Sequence, residues 1–478
     1  VLVTADVSEI EPQTPPVTGN MSIANNGVIG SEADPLDIVF QPPEGTPDVG
    51  SSFDFANYGA MYGDVDVVVD LAASFGLTGL QVGSVSLESR YGDLSAVIAG
   101  DLILPDDAED EGVLAMSTAL GVATVRTLEG ANIGGDVAML AGDDVALINS
   151  GTISGDVEMQ AGIQSIETEQ LVTVETTVLD DGTEQTDQVE TVTNRSSYTR
   201  GEAGVLNGVT GVISGDVELR GSDGVRLRNA GLIDGAVVLN SANQEFYEED
   251  VNLIRTARSP GGGETFSFIG VSNEARSTNV GGDITATIAP GGAITGGLTA
   301  ITNRGAVNML IDGRIGEPEA GGDLTVIASG IETYELTRID PDDGSTFEQV
   351  EQTATGGRAD VTIGPDGSVY GNASVEALGG IGFYSQGLVA GNLQLTSLAL
   401  PNSSSMATAT SEAEVDGGSQ TVETRTTTFE TAVAGGAIEA AIGDGGAVLG
   451  DISANSALGI AFDHDGMALG DIDLTSQA

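Results

Sequence analysis

Ten Gly-Asp pairs precede an aliphatic residue, and they are the most regular chemistry-bearing feature of this 478-residue chain. Their carboxylates include Asp64, Asp101, Asp136, Asp156, Asp216, Asp283, Asp323, Asp451 and Asp471. If these occupy one corner of a repeating fold, they stack about 4.8 Å apart, the spacing of neighbouring strands. Like charges at that distance repel unless water or a cation intervenes. Calcium accepts oxygen ligands of this kind, so Asp64, Asp136, Asp156, Asp216, Asp283, Asp323, Asp451 and Asp471 are its candidate ligands and calcium the candidate cofactor. The clusters DPDDG at Asp340 and PDDAEDEG at Pro105 add further carboxylates, while the calcium nonapeptide GGxGxDxUx is absent. The competing role is a solvated turn in which each Asp caps backbone.

Other chemistry is sparse. One histidine, His464 in FDHDG, would have to serve any Ser-His-Asp triad, and it sits among acids in an expected corner. No GxSxG elbow, P-loop or HExxH occurs. Carboxylates could form a glycosidase pair. Sugar grooves of that kind use aromatics and basic residues, however, and here aromatics are 4% and Lys plus Arg number 15. The chain reads as a non-enzyme.

The elements that carry the Gly-Asp pairs repeat. Gly63 to Gly83, Gly135 to Gly155, Gly215 to Gly235, Gly371 to Gly391 and Gly450 to Gly470 are each 20 residues apart. Within a unit the pattern has period 2: Val157, Met159 and Ala161 alternate with Asp156, Glu158 and Gln160, as a half-buried strand requires. A second short strand precedes it, entered by Asn or Asp beside Gly, as in NSGTISG at Asn149, NAGLIDG at Asn229 and DGGAVLG at Asp444. Glycine there is expected to supply positive φ, and Asn on successive turns to form a ladder. Rungs of about 20 residues with three short strands and Gly-rich corners make an all-β fold, a right-handed parallel β-helix (β-solenoid) of some 15 rungs.

Four stretches break the rungs, at about 164–202, 243–278, 331–357 and 403–433. In each, Thr, Val and Glu alternate on two arms around a Gly- or Asp-bearing turn, the signature of a projecting β-hairpin. Their tips, Asp181, Gly262, Asp343 and Gly417, are candidate interaction residues. The arms are marginal alone, so they must pack on the rod, on each other or on a neighbouring molecule. The domain reading is therefore an N-terminal strand and Pro-rich spacer over 1–20, then a solenoid with hairpin insertions over 21–478. The first segment, VLVTADVSEI, could cap the first rung or add as a strand to another copy.

The segments NSGTISGDV, NAGLIDGAVVL and GAVLGDI resemble the passenger regions of bacterial autotransporters and related large surface adhesins. The resemblance implies a Gram-negative surface or secreted protein, a right-handed β-helix, and adhesion, aggregation or matrix building. It departs from that pattern in its regular hairpins and in lacking a C-terminal translocator region, which favours a secreted filament subunit.

Composition agrees with an extracellular or cell-surface location. Asp plus Glu number 72, the formal charge is −57, and there is no Cys. Such acidity excludes nucleic acid as a partner, because phosphate binding needs a positive face. Absence of Cys removes disulfides and thiol chemistry. No apolar run approaches the roughly 20 residues of a membrane span, and the start at Val1 without Met is compatible with a removed leader. The expected function is a self-assembling structural subunit of a filament, sheath or biofilm matrix, whose partner is itself. The alternative is an adhesin that binds cell-surface glycans or proteins on host or sibling cells. A tailspike or carbohydrate lyase stands behind both.

Overall fold

The computed structural model describes residues 20–41, 50–105, 112–339, 346–397, 402–415, 418–431 and 435–477. It is a parallel β-helix. Three sheets of 14 parallel strands run its length, and each coil of chain contributes one strand to each sheet. Among the described residues there is no helix. The second coil shows the plan: Ser52–Asn57 in the first sheet, Ala60–Tyr62 in the second, Val65–Val69 in the third. The next coil repeats it 20 residues later, so that Phe55 pairs with Phe75, Met61 with Gln81 and Val67 with Leu87.

Alternation decides what each strand buries. Val137, Met139 and Ala141 are enclosed, whereas Ala138 and Leu140 face outward. The strands stack in register, so like residues stack on like. Ile133, Ile153, Ile213, Ile233, Ile294 and Ile315 follow one another on consecutive coils of the second sheet, all at 0% exposure. Burial of each stabilises the fold by about 1.5–3 kcal/mol, and no coil achieves it without its neighbours.

The corners follow from stacking too. Positive φ is found at Gly63 and Gly83, ahead of the third sheet (φ 131° and 132°). The glycines that enter the second sheet, Gly59 and Gly79, lie outside that region, contrary to the sequence expectation. What they need is space, because a Cβ on Gly79 would overlap the carbonyl of Gly59, and one on Gly59 that of Gly27.

The four hairpins leave the coil at one corner, between the third and first sheets. Their strands are Gln164–Val178 with Glu184–Tyr198, Gln244–Arg258 with Glu264–Asn279, Gly330–Ile339 with Thr346–Thr355, and Asn402–Val415 with Gly418–Thr431. They emerge after the sixth, eighth, tenth and twelfth coils, one on every second coil. Two coils rise by about 9.6 Å, and two antiparallel strands occupy the same width. Successive hairpins therefore meet edge to edge and merge into one eight-stranded antiparallel sheet, called here the fin. Among the described residues no fin strand packs along a coil strand. Of the sites available to the arms, each other is the one they use.

Candidate interaction surface

The fin is joined by backbone pairing between hairpins far apart in sequence. Glu184–Arg195 pairs with Tyr247–Arg258, Ser272–Arg276 with Tyr334–Arg338, and Thr346–Glu351 with Ser403–Thr408. Its root is fastened to the coil by amides. Asn303 Nδ2 donates to Asn279 Oδ1 (3.0 Å) and to Asn243 O (2.6 Å), and Thr355 Oγ1 donates to Asn303 O (2.8 Å). The second, third and fourth of these residues belong to coil or root segments that the sequence separates by dozens of residues.

One face carries a row of alternating Arg and Tyr across four strands: Arg195, Tyr247, Arg276 and Tyr334 are successive cross-strand partners. The Tyr247 ring lies 5.4 Å from the Arg195 guanidinium and 4.8 Å from that of Arg276. Its hydroxyl donates to Glu249 Oε2 at 2.7 Å, which chiefly raises its pKa above the usual tyrosine value. On the same face Leu253 and Leu336 are nearly buried, and Arg255 holds Asp187 through Nε (3.0 Å) and Nη2 (3.2 Å). That pairing lowers the Asp187 pKa.

The first strand, Gln164–Val178, is exposed throughout and, among the described residues, pairs on one side only. Ile166, Leu171, Val172, Val174 and Val178 are 46–64% exposed. At its two ends Ile163 O accepts from Thr199 N (3.0 Å) and Leu179 N donates to Thr183 O (2.8 Å), so odd-numbered residues bond inward. Antiparallel alternation then points the N–H and C=O of even-numbered residues to the open edge. Nothing in the sequence marked this strand apart from the other arms.

The tips are divided. Asp181 Oδ1 accepts from Thr183 N at 2.9 Å, which lowers its pKa, and Gly262 adopts φ 86° in the second turn. These two turns lie side by side, since a Cβ on Gly182 would come within 3.2 Å of Pro260. Asp343 and Gly417 lie outside the described residues, as do the acidic residues 106–111 and the cluster at Asp340.

The Gly-Asp carboxylates are mostly brought together. Asp64, Asp136, Asp156, Asp216, Asp323, Asp451 and Asp471 share the corner ahead of the third sheet. Asp283 does not, because it begins a strand of the first sheet, and Asp101 begins one of the second. Each ladder carboxylate except Asp471, which lies in the last described coil, accepts from the next coil. Asp136 Oδ1 takes Asp156 N (2.8 Å), Asp156 Oδ1 takes Asp216 N (2.8 Å), and Asp451 Oδ1 takes Asp471 N (2.9 Å). Asn372 and Asn392 do the same without charge, at 2.9 Å each. Asp283 makes the equivalent bond at its own corner, to Ala306 N (2.7 Å).

This bond explains the dipeptide. The Oδ1 of one coil fills the space where a Cβ on the next coil's Gly would stand, 2.6 Å away at Gly235 over Asp216 and at Gly391 over Asn372. Gly is required because the preceding coil brings both its backbone and this Oδ1 against that position: at Gly235 the Gly215 carbonyl would lie 2.4 Å from a Cβ, and at Gly296, over Ala236, backbone alone fills the space. Among the described residues no three His, Cys, Asp or Glu side chains group closely enough to hold a metal.

No protein-family model, curated protein or solved structure matches the chain. Its surfaces must be read on their own geometry.

The expected Asn ladder occupies the corner between the first and second sheets. Asn25 donates to Asn57, Asn149 to Asn207, and Asn207 to Asn229, each at 2.9 Å, and all are buried. Asn207 and Asn229 also donate to the carbonyls of Leu232 (3.1 Å) and Ala293 (2.9 Å). The ladder is structural. Its equivalent position in the last coil is His464, exposed on a strand end beside Phe462.

Proposed function

We propose that the chain is an extracellular structural protein, a subunit of a surface filament, sheath or matrix, whose coil is the girder and whose fin is the contact surface. The observation that carries this reading is the merger of four separate hairpins into one continuous sheet, whose first, apolar strand has no neighbour on its outer side among the described residues. A sheet edge with unpaired N–H and C=O groups is a template for strand addition, and the coil gives it a fixed orientation. Electron microscopy of the purified protein across a concentration series tests it, first with calcium and then with a chelator. Regular filaments or sheets are expected. Isolated short particles at every concentration and calcium level would overturn it, and loss of filaments on chelation would assign calcium to the acidic corners.

The second reading, a surface adhesin, draws on the Arg–Tyr row. Guanidinium groups stacked on phenol rings are suited to acidic or polar cell-surface groups. Binding to intact cells that is lost in a Tyr247→Ala, Arg276→Ala double variant would favour it over self-assembly.

A further inference from the structure

We propose that the fin is half of a larger sheet: two copies of the chain pair through their Gln164–Val178 edges, antiparallel about a two-fold axis at Gln170, to form one sixteen-stranded fin. This rests on the self-assembly reading and names one of its contacts, the one that makes a dimer; a two-fold pairing closes on itself, so a filament joins such dimers through a second contact.

Three constraints select this arrangement. The first is the direction of the free backbone groups. Only even-numbered residues point N–H and C=O outward, so a partner strand must set even against even. The second is continuity. Every hairpin-to-hairpin contact inside the fin is antiparallel and edge to edge, and this strand alone at that end of the fin has no neighbour among the described residues. Among the described residues the coils below it carry no hairpin that could supply one; the fifth coil, directly beneath, passes straight from Val137–Ala141 to Val145–Asn149. A second copy offers a strand of the same length and the same unsatisfied groups.

The third constraint is charge. The strand has an uncharged face, with Ile166, Thr168, Gln170, Val172 and Val174, and an acidic one, with Glu167, Glu169 and Glu175. Centring on Gln170 sets Ile166 against Val174, Thr168 against Val172, Glu167 against Thr173, and Glu169 against Leu171. No glutamate then faces a glutamate. Sliding by two residues, the smallest slip that keeps the faces aligned, sets Glu167 against Glu175 in one direction and Glu169 against its own copy in the other. Like charges directly opposite destabilise a pair. Seven residues from Gln164 to Thr176 would each donate and accept, for about fourteen backbone hydrogen bonds. The same geometry directs the partner's turns toward the coils below the fin, where Leu71 and Leu120 are exposed along the corner from which the fin springs.

The chain has no Cys, so single-cysteine variants are clean probes. Facing Cα atoms in a hydrogen-bonded antiparallel pair are about 5.5 Å apart, within disulfide reach. Under mild oxidation Gln170→Cys is expected to give a covalent dimer, and Val174→Cys, about 27 Å from its own copy, to stay monomeric. Sedimentation of the unmodified chain should show a dimer. A Thr168→Pro, Val172→Pro double variant removes only outward N–H groups, which an edge strand tolerates. It should keep its circular dichroism and weaken the dimer by at least about 100-fold.

Equal cross-linking at positions 170 and 174 would overturn the register. A monomeric chain whose Gln170 amide resists hydrogen exchange would overturn the contact, because another part of the chain then covers the edge. A proline variant that dimerises as tightly as the unmodified chain would sink this inference and leave the filament reading standing. A chain monomeric in every assay would sink both.

Discussion

Coil and fin are both built of extended strands, yet they satisfy those strands differently. The coil encloses a continuous file of apolar side chains, from Phe53 to Ala454, so its sheets need no second layer. The fin, among its described side chains, has only two apolar ones, Leu253 and Leu336, below one-tenth exposure. Its order derives from backbone pairing and from cross-strand pairs such as Arg195–Tyr247 and Asp187–Arg255. The coil is a core wrapped in strands; the fin is a surface held open by the coil. The first design stabilises itself by burial, and the second leaves backbone and side chains accessible at its surface.

The contrast can be broken most sharply in the core. Ile213→Ala in the coil should cost about 2–5 kcal/mol in urea unfolding, whereas Leu171→Ala on the fin edge should stay within about 0.5 kcal/mol. Comparable losses at the two positions would mean that the fin has a core of its own.

Glycine substitutions come next. Gly79→Ala forces a Cβ into the Gly59 carbonyl and should cost about 1–3 kcal/mol, while Gly261→Ala, with nothing within 4 Å, should be close to neutral. Thermal unfolding of the pair reads the difference.

The polar ladders should separate by burial. Asn207→Ala leaves buried partners unsatisfied and should cost about 1–3 kcal/mol. Asp156→Asn should be nearly silent, as Asn already serves at 372 and 392, and Asp156→Ala should cost about 0.5–1.5 kcal/mol. If Asp156→Asn instead abolished a calcium-dependent rise in melting temperature, the ladder would be a cation site and not only a set of caps.

The smallest effect is expected in the fin. Arg255 depresses the Asp187 pKa below its ordinary value, 3.8. The stability this contributes is present above that value and lost as pH falls through the lowered, folded one. Arg255→Ala should therefore lower stability slightly at neutral pH, by less than about 1 kcal/mol for so exposed a pair, flatten the loss of stability below about pH 4, and leave the acid extreme unchanged.

Much of this architecture was legible before any coordinates. The 20-residue spacing of Gly63 and Gly83, or of Gly135 and Gly155, set the coil, because a solenoid stacks equal lengths of chain. Alternation in Val157–Ala161 told inside from outside, because side chains of a strand alternate faces whatever surrounds them. The arms near 164–202 and 243–278 were visible as period-2 runs around turns. Gly-Asp corners were visible as well, although Asp283 and Asp101 were placed with the others because the dipeptide does not reveal which of the three sheets follows it.

What the sequence by itself determined, then, was local: strand, corner, coil length, and the arms that interrupt them. The tertiary structure alone decided which free edges meet. That the arms form one fin depends on an equality between two distances, the rise of two coils and the width of two strands, which no single segment contains. That Asp136 caps Asp156, and requires Gly155 beside it, depends on one coil lying directly over another. And among the described residues the Gln164–Val178 edge has no neighbour because the coils beneath it carry no hairpin, a property of its surroundings and not of its own residues.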